Sequence, residues 1–210
     1  MVYTVYMAAK STSGKSTTDR IRESARRLLD RGGPDAVTMR RVAKAVDLTP
    51  MALYRHVADR DDLLNSLADA GFQDLAARAG NASLPKNPVR QLMNILDVFL
   101  DFALENPRMF ELMFLKRRKG ARQFPGDFRA GKSPTAKFSA AALEAGMKQG
   151  IFRKDDIWEI VFETGAMLQG LVMLYLGGRV EMPAQEFRAL SHRAFRRHIY
   201  GIRKQNGPHQ

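Results

Sequence analysis

Apolar residues recur at three- and four-residue spacings along most of this chain of 210 residues. Such spacing places them on one face of an α-helix, whereas a half-buried strand would alternate apolar and polar residues. No alternating run follows residue 88. The pattern therefore predicts an all-α fold of about nine helices, over residues 19–31, 38–47, 49–57, 59–79, 89–105, 109–119, 135–150, 155–176 and 183–204. The Gly- and Pro-rich residues 120–134 are predicted to form a mobile loop.

Two of these helices are short and adjoin each other across a tight turn, in the segment TMRRVAKAVDLTPMALYRHVADR at 38–60. Thr38 is suited to cap the first helix, because its hydroxyl can accept a free backbone N–H. That helix would bury Val42, Ala43 and Val46 at helical spacing and stop at Asp47. The arrangement predicts a helix-turn-helix unit over residues 38–57.

The second helix of this pair has an outer face suited to a DNA major groove. Thr49 can cap it, Pro50 fits its first position, and Leu53 and Val57 would point inward. Small residues allow close approach, while cationic and hydroxyl groups can bond base edges and phosphates. That face carries Thr49, Met51, Ala52, Tyr54, Arg55 and His56. Two ordinary core helices would show the same periodicity, so spacing alone leaves both alternatives open.

The net charge of the chain limits the classes of binding partner that are expected. The formal charge of +12 and pI near 10.3 favour a polyanion such as nucleic acid, with an anionic membrane surface as the lesser alternative. The chain has no cysteine, which excludes disulfides, thiol catalysis and cysteine-based zinc sites. The N-terminus lacks the charged and apolar regions of a signal peptide, so a cytoplasmic location is expected.

The order of motifs in residues 17–75 resembles the DNA-binding domain of TetR-family (tetracycline-repressor-type) transcriptional regulators. A first helix is followed by AVT, RRVAKAV, LYRHV and DRDDLL. The resemblance implies phosphate contacts from Thr38, Tyr54, His56 and Arg60, and base contacts from Arg40, Pro50, Met51 and Arg55. One position departs from the family pattern, because Asp47 stands where the turn usually has glycine. Asp can adopt a left-handed conformation, but at a higher cost than Gly.

Shorter resemblances continue into the C-terminal half, where FALENPRMFELMFL at 102–115 and QGIFRKDDI at 149–157 look like segments of TetR-family effector domains. They support a helical domain of about five helices. Its aromatic and Met-rich interior suggests an effector pocket, although most of these side chains would serve equally as plain core. The candidate pocket residues are Phe99, Phe102, Met109, Phe110, Phe114, Trp158, Phe162, Glu163, Met167 and Gln169.

The helix at 157–176 is apolar nearly all round and must be covered on several sides. Glu159, Glu163 and Gln169 argue against a membrane span, because carboxylates near the bilayer centre are costly. Burial inside the monomer and cover by a second subunit both satisfy the pattern. TetR-family proteins typically pair through their last two helices, so the resemblance implies a homodimer formed by 157–176 and 183–204.

Catalytic and metal motifs are weak or missing in the sequence. AKSTSGKS at 9–16 fits a relaxed phosphate-loop pattern, but no parallel sheet to support it is predicted. His192 and His198 are six residues apart and fall on different faces of a helix, so no metal site is expected. No nucleophile elbow or zinc-protease signature is present. The protein is therefore expected to be neither an enzyme nor cofactor-dependent.

The leading hypothesis is a dimeric transcriptional regulator, a repressor, that binds a palindromic operator in double-stranded DNA and is released by a small-molecule effector. Its rivals are a constitutive architectural DNA binder without an effector, and a P-loop nucleotide-binding protein resting on residues 9–16. The expected organisation is a flexible basic arm at 1–16, a DNA-binding domain at 17–79, an effector-binding and dimerisation domain at 80–204, and a tail at 205–210.

Overall fold

The computed structural model of the protein describes residues 16–81 and 86–204. Within these ranges the chain forms ten α-helices and no strand, which confirms the all-α prediction. A 3₁₀ turn covers Pro34–Ala36, and a π-helical turn covers Glu111–Leu115. The helices are α1 (Thr17–Gly32), α2 (Met39–Ala45), α3 (Pro50–Leu53), α4 (Arg60–Asn81), α5 (Pro88–Glu105), α6 (Pro107–Phe110), α7 (Gly126–Arg129), α8 (Ala136–Lys148), α9 (Ile157–Leu176) and α10 (Ala184–Gly201).

Helix α1 begins earlier than its expected cap at Asp19. Ser16 is the residue that caps it: its hydroxyl oxygen accepts a hydrogen bond from the Asp19 backbone N–H at 3.1 Å and donates to the Asp19 carboxylate at 2.7 Å. Asp19 itself lies in the first turn, where a negative charge is favourable beside the positive end of the helix dipole. Gly33, at φ 71°, then ends the helix.

The helix-turn-helix pair is formed as its local signals predict. Thr38 Oγ1 accepts from the Arg41 N–H at 3.3 Å, and Thr49 Oγ1 accepts from the Ala52 N–H at 3.1 Å. Asp47 adopts φ 58° in the turn between the helices. Helix α3 itself covers four residues, and the chain continues past it as a turn to His56.

One hydrophobic core joins the N-terminal helices to the middle of the chain. Ile21, Leu29, Val42 and Leu53 are fully buried in it. The same core includes side chains from α5, α6 and the π-helical turn, namely Phe102, Met109, Leu112 and Met113. The DNA-binding region is therefore connected to the rest of the chain through α4 and also packs directly on residues 102–113.

A second hydrophobic core lies among α5, α8, α9 and α10, around Leu96, Leu100, Leu143 and Val172. Polar contacts fix α10 against α5, since His192 Nε2 lies 2.7 Å from Asp97 Oδ1 and Arg188 pairs with Asp101. The His198 ring lies 2.8 Å from the Thr164 hydroxyl on α9. Burial lowers the pKa of His198, which favours its neutral form in this contact.

Helix α9 is less buried within the chain than the sequence-based expectation of a buried helix implied. Phe162, Met173 and Leu174 are 45%, 46% and 43% exposed. By length and composition alone α9 would suffice to cross a membrane, but a core helix of a soluble protein meets the same criterion. Here its buried face packs on α8 and α10.

The segment between α6 and α8 departs from the predicted helix at 109–119 followed by a mobile loop. Helical structure ends at Leu115, and α7 forms inside the predicted loop. The loop is attached to its surroundings by ion pairs from Arg122 to Asp69 at 3.0 Å and from Arg129 to Asp156 at 2.6 Å. These contacts place the loop against α4 and the start of α9.

Candidate DNA-binding face and central cavity

The outer surface of the helix-turn-helix pair is a convex face of exposed side chains, here called the recognition face and defined by Arg40, Thr49, Pro50, Met51, Tyr54, Arg55 and His56. Met51 is 74% and Tyr54 50% exposed, which is unusual for large apolar and aromatic residues. Leu53 and Val57 point the other way, into the core. The fold therefore brings the predicted DNA contacts of α3 together on one surface.

Thr38 and Thr49 lie at the N-termini of the two helices, and Ala52 is partly buried beside the recognition face. Both hydroxyl oxygens accept a backbone N–H. A hydroxyl retains its own proton, so each threonine can still donate a hydrogen bond to a phosphate. Capping and phosphate contact are therefore compatible at these two positions.

Arg60 is placed differently from the other predicted contacts. Its Nε donates to the Val37 carbonyl at 2.7 Å and its Nη2 to the Pro34 carbonyl at 2.8 Å. Nη2 also lies 3.5 Å from the Asp35 carboxylate. The guanidinium therefore connects the start of α4 to the turn before α2, and a phosphate contact from Arg60 stays a prediction.

A cavity of about 550 Å³, here called the central cavity, lies among the helices that follow the helix-turn-helix pair. Its walls come from α4, α5, the π-helical turn, the segment 116–139 and the first half of α9. Its volume falls in the range of about 300–1,000 Å³ that is typical of small-molecule sites. It contacts both the DNA-binding half and the C-terminal half of the chain, so a molecule inside would touch both.

Four of the ten predicted pocket residues line this cavity: Phe99, Phe114, Phe162 and Gln169. The other six lie elsewhere. Phe102 and Met109 belong to the core beneath the N-terminal helices, and Phe110 is buried in the C-terminal core. Trp158 and Met167 pack partly buried against that second core, and Glu163 is exposed on α9. Helical periodicity shows that a side chain is buried, but not which neighbour it faces.

Sequence reasoning missed the cationic and aromatic residues that the segment after α6 contributes to the cavity. Lys116, Arg117, Arg118 and Arg122 line it, together with Phe124 and Phe128. The basic run KRRK and the Phe-x₃-Phe spacing were visible in the sequence. Only the attachment of the loop to α4 and α9 shows that they form a wall.

The segment around the cavity also contacts the DNA-binding half through polar bonds. Lys116 Nζ lies 2.8 Å from Asp35 Oδ1, and this contact holds the pKa of Asp35 below its ordinary value. Asn65 on α4 donates to the Lys119 carbonyl at 2.8 Å and accepts from Arg118 at 2.8 Å. A displacement of residues 116–119 would therefore disturb their contacts with the turn before α2 and with α4.

No group of three or more His, Asp or Glu side chains within residues 16–81 and 86–204 is arranged to hold a metal ion. His192 contacts Asp97 and His198 contacts Thr164, so each histidine has a structural partner of its own. Seven residues of the phosphate-loop-like motif, 9–15, lie outside the described residues. The described part of the chain holds no parallel sheet against which such a loop normally sits.

A short recognition helix in a three-helix N-terminal region, followed by an all-α domain with a central cavity, defines a helix-turn-helix transcriptional regulator. Sequence comparison gives the family. The model for bacterial regulatory proteins of the tetR family matches residues 21–67, and that for the tetracyclin repressor-like C-terminal domain matches residues 92–198. The chain belongs to the TetR family, whose members are transcription regulators and not enzymes.

Solved structures with a similar fold cover nearly all of the chain. A protein with unknown function from Rhodococcus sp. RHA1 has a TM-score of 0.75 at 21% identity, covering 93% of this chain and 100% of its own. The TetR-family regulator PfmR from Thermus thermophilus has a TM-score of 0.61 at 21% identity, over 92% and 100%. A TetR variant from Acinetobacter baumannii AYE, solved in complex with minocycline, has a TM-score of 0.63 at 20% identity, over 89% and 96%.

Among curated proteins, the HTH-type transcriptional regulator YobS of Bacillus subtilis (strain 168) is 24% identical over 94 residues. The match covers 45% of this chain and spans about half the length of that relative, 49%.

The contacts of Arg60 predict that it acts on stability. Arg60→Gln should lower the free energy of unfolding by about 1–3 kcal/mol, because two backbone carbonyls lose a charged donor. Urea titration followed by circular dichroism measures this loss. Arg55→Gln, which removes an equal charge from the recognition face, is the matched control and should leave stability nearly unchanged. Weaker duplex binding by Arg60→Gln with unchanged stability would instead make Arg60 a phosphate contact.

Proposed function

We propose that the protein is a cytoplasmic transcriptional repressor that binds a palindromic operator as a homodimer and releases it when a small molecule occupies the central cavity. The observation that carries the proposal is a single fold that combines the recognition face with a cavity whose wall is bonded to the DNA-binding half. The proposed roles are DNA binding for residues 17–79 and effector binding and dimerisation for residues 80–204. Of the basic arm predicted at 1–16 only Ser16 is described, and the tail predicted at 205–210 lies outside the described residues.

The recognition face supplies both kinds of DNA contact. Arg55 and Arg40 are long, exposed donors suited to base edges, and Pro50 and Met51 are suited to apolar contact with them. Thr38, Tyr54 and His56 offer hydroxyl and ring N–H groups to phosphates, which fix the register of the helix on the duplex. The net charge of +12 adds attraction to DNA that does not depend on sequence.

Dimerisation is supported by an exposed apolar stripe at the end of α9, formed by Met173, Leu174 and Leu176. A two-fold interface brings the same surface of each subunit together, so an apolar stripe is matched by itself.

Charge on the adjoining surface also favours this pairing. Glu159 and Glu163 are exposed near the start of α9, and Arg193 and Arg197 are exposed on α10. In a two-fold arrangement the acidic α9 of one subunit can face the basic α10 of its partner. The pair of last helices is therefore the proposed interface.

Release follows from linkage between the central cavity and the DNA-binding half. A ligand shifts the protein only by its differential affinity for two conformations. Lys116 binds Asp35 next to the turn before α2, and Arg122 binds Asp69 on α4. A ligand that moves these side chains changes the position of the helix-turn-helix pair, and with it the separation of the two recognition faces in the dimer.

The recognition face is tested by Arg55→Ala and Tyr54→Ala in fluorescence anisotropy titrations with a duplex chosen by the protein from random DNA. Each should weaken specific binding by about 1–3 kcal/mol, since one base or phosphate contact is lost. Affinity of the native protein should also fall steeply with salt. Lys148→Ala, which removes the same charge as Arg55→Ala from an exposed position on α8, is the control and should bind normally. Unchanged affinity in both recognition-face variants would refute the groove assignment.

The interface is tested by Met173→Glu, which places a charge in the proposed apolar contact. Sedimentation equilibrium should show a dimer for the native chain and a dissociated, folded monomer for the variant, because two buried carboxylates would meet across the two-fold axis. Leu115→Glu is the matched control, since Leu115 is as exposed as Met173 but lies away from α9. A dimer that survives Met173→Glu and dissociates in the control would place the interface elsewhere.

A further inference from the structure

The charged side chains that line the central cavity all carry the same sign. They are Lys116, Arg117, Arg118 and Arg122, and no Asp or Glu lines the cavity within the described residues. The acidic partners of Lys116 and Arg122 are Asp35 and Asp69, and neither of these lines the cavity. The interior of the site is therefore cationic without an internal counter-charge.

Arg118 shows this imbalance most clearly. It is half-buried, and its guanidinium bonds to the Leu112 carbonyl at 3.1 Å and to the Asn65 side-chain oxygen at 2.8 Å. These acceptors are neutral. Burial lowers the pKa of Arg118, so its charged form is poorly solvated where it lies. An anion in the cavity would offset part of that cost.

Arg122 and Arg117 contribute further positive charge to the cavity wall. The Arg122 guanidinium lies 5.1 Å from the centre of the Phe72 ring, and its Nε donates to the Lys132 carbonyl at 2.9 Å. These contacts hold it over the aromatic wall. Arg117 is exposed and has no ion-pair partner among residues 16–81 and 86–204. One fixed guanidinium and one free guanidinium form a suitable pair for an oxyanion.

Much of the remaining cavity wall is aromatic. Phe114 packs edge-to-face on Phe72 at 5.4 Å and on Phe99 at 5.8 Å between ring centroids. Phe124 stacks on Phe162 at 4.3 Å, which brings the loop to the start of α9. Such rings offer flat apolar surface to a ligand body.

We infer that the central cavity takes an amphipathic organic anion, with its apolar body against the phenylalanines and its carboxylate or sulfonate at Arg117 and Arg122. This inference rests on the proposed function of the cavity as an effector site and adds the chemical class of the effector. A neutral molecule of the same shape adds no counter-charge to the attraction that Arg118 already has from Asp69, and a cation is repelled by the basic side chains of the wall.

The test compares two fluorescent probes that share the same anilinonaphthalene skeleton and differ by one sulfonate group: the anion 8-anilino-1-naphthalenesulfonate and the uncharged N-phenyl-1-naphthylamine. Titrated against the full-length protein, the sulfonate should bind at least about tenfold more tightly, as one charge-assisted contact provides. Its affinity should fall with added salt, whereas that of the neutral probe should not.

Substitutions locate the effect. Arg117→Gln and Arg122→Gln should each reduce the tenfold preference to about threefold or less, while the affinity for the neutral probe stays the same. Lys137→Gln is the control, because Lys137 is exposed next to the cavity without lining it and loses the same charge. Gly165→Leu should abolish binding of both probes, since a side chain at Gly165 has room to enter the cavity, with the nearest atom 3.5 Å from its Cβ.

The possible failures separate the two claims. Equal or tighter binding of the neutral probe, or an equal loss of both probes in Arg117→Gln and Arg122→Gln, would overturn the anion inference and leave the cavity as a ligand site. Binding of neither probe, or binding of both that survives Gly165→Leu, would contradict the cavity as a ligand site and so the effector part of the proposed function.

Discussion

The DNA-binding half depends on the burial of a few aliphatic side chains, because its reading helices are too short to be stable alone. Isolated helices below about 12–15 residues are marginal in water, and α2 and α3 have seven and four residues. Leu53 and Val42 are fully buried in the core that they share with residues of α1, and Thr38 and Thr49 supply the caps. The exposed face of α3 is therefore rigid only while its inner face stays packed.

The packing of the DNA-binding half extends beyond the first four helices. It therefore connects the recognition face to the rest of the molecule. Met109 and Met113 share the core of α1–α4, and a Cβ on Gly71 of α4 would lie 2.5 Å from Met113 Sδ. Helix α4 thus lies unusually close to the π-helical turn that leads into residues 116–118, which line the central cavity. Under the proposed function, a ligand in the cavity and a duplex at α3 would each act on this shared set of side chains, which is the physical basis proposed for coupling between them.

Features that depend on neighbouring residues could be predicted from the sequence. Features that depend on tertiary contacts could be predicted less often. The caps at Thr38 and Thr49 and the left-handed Asp47 follow from neighbouring residues, and each is present. Arg60 was expected on DNA, but carbonyls 23 and 26 residues away bind it. Phe110 and Phe114 lie four residues apart, yet Phe114 lines the cavity and Phe110 does not, because the direction each ring faces depends on distant helices.

The central claim is that two recognition faces, held by one dimer, read DNA together. Selection of bound sequences from random duplex DNA by the full-length protein tests it most directly. The account predicts an inverted repeat whose half-sites are centred about 34 Å, or a multiple of that distance, apart along the duplex. Recovery of a single unrepeated half-site, or of no common sequence, would contradict it.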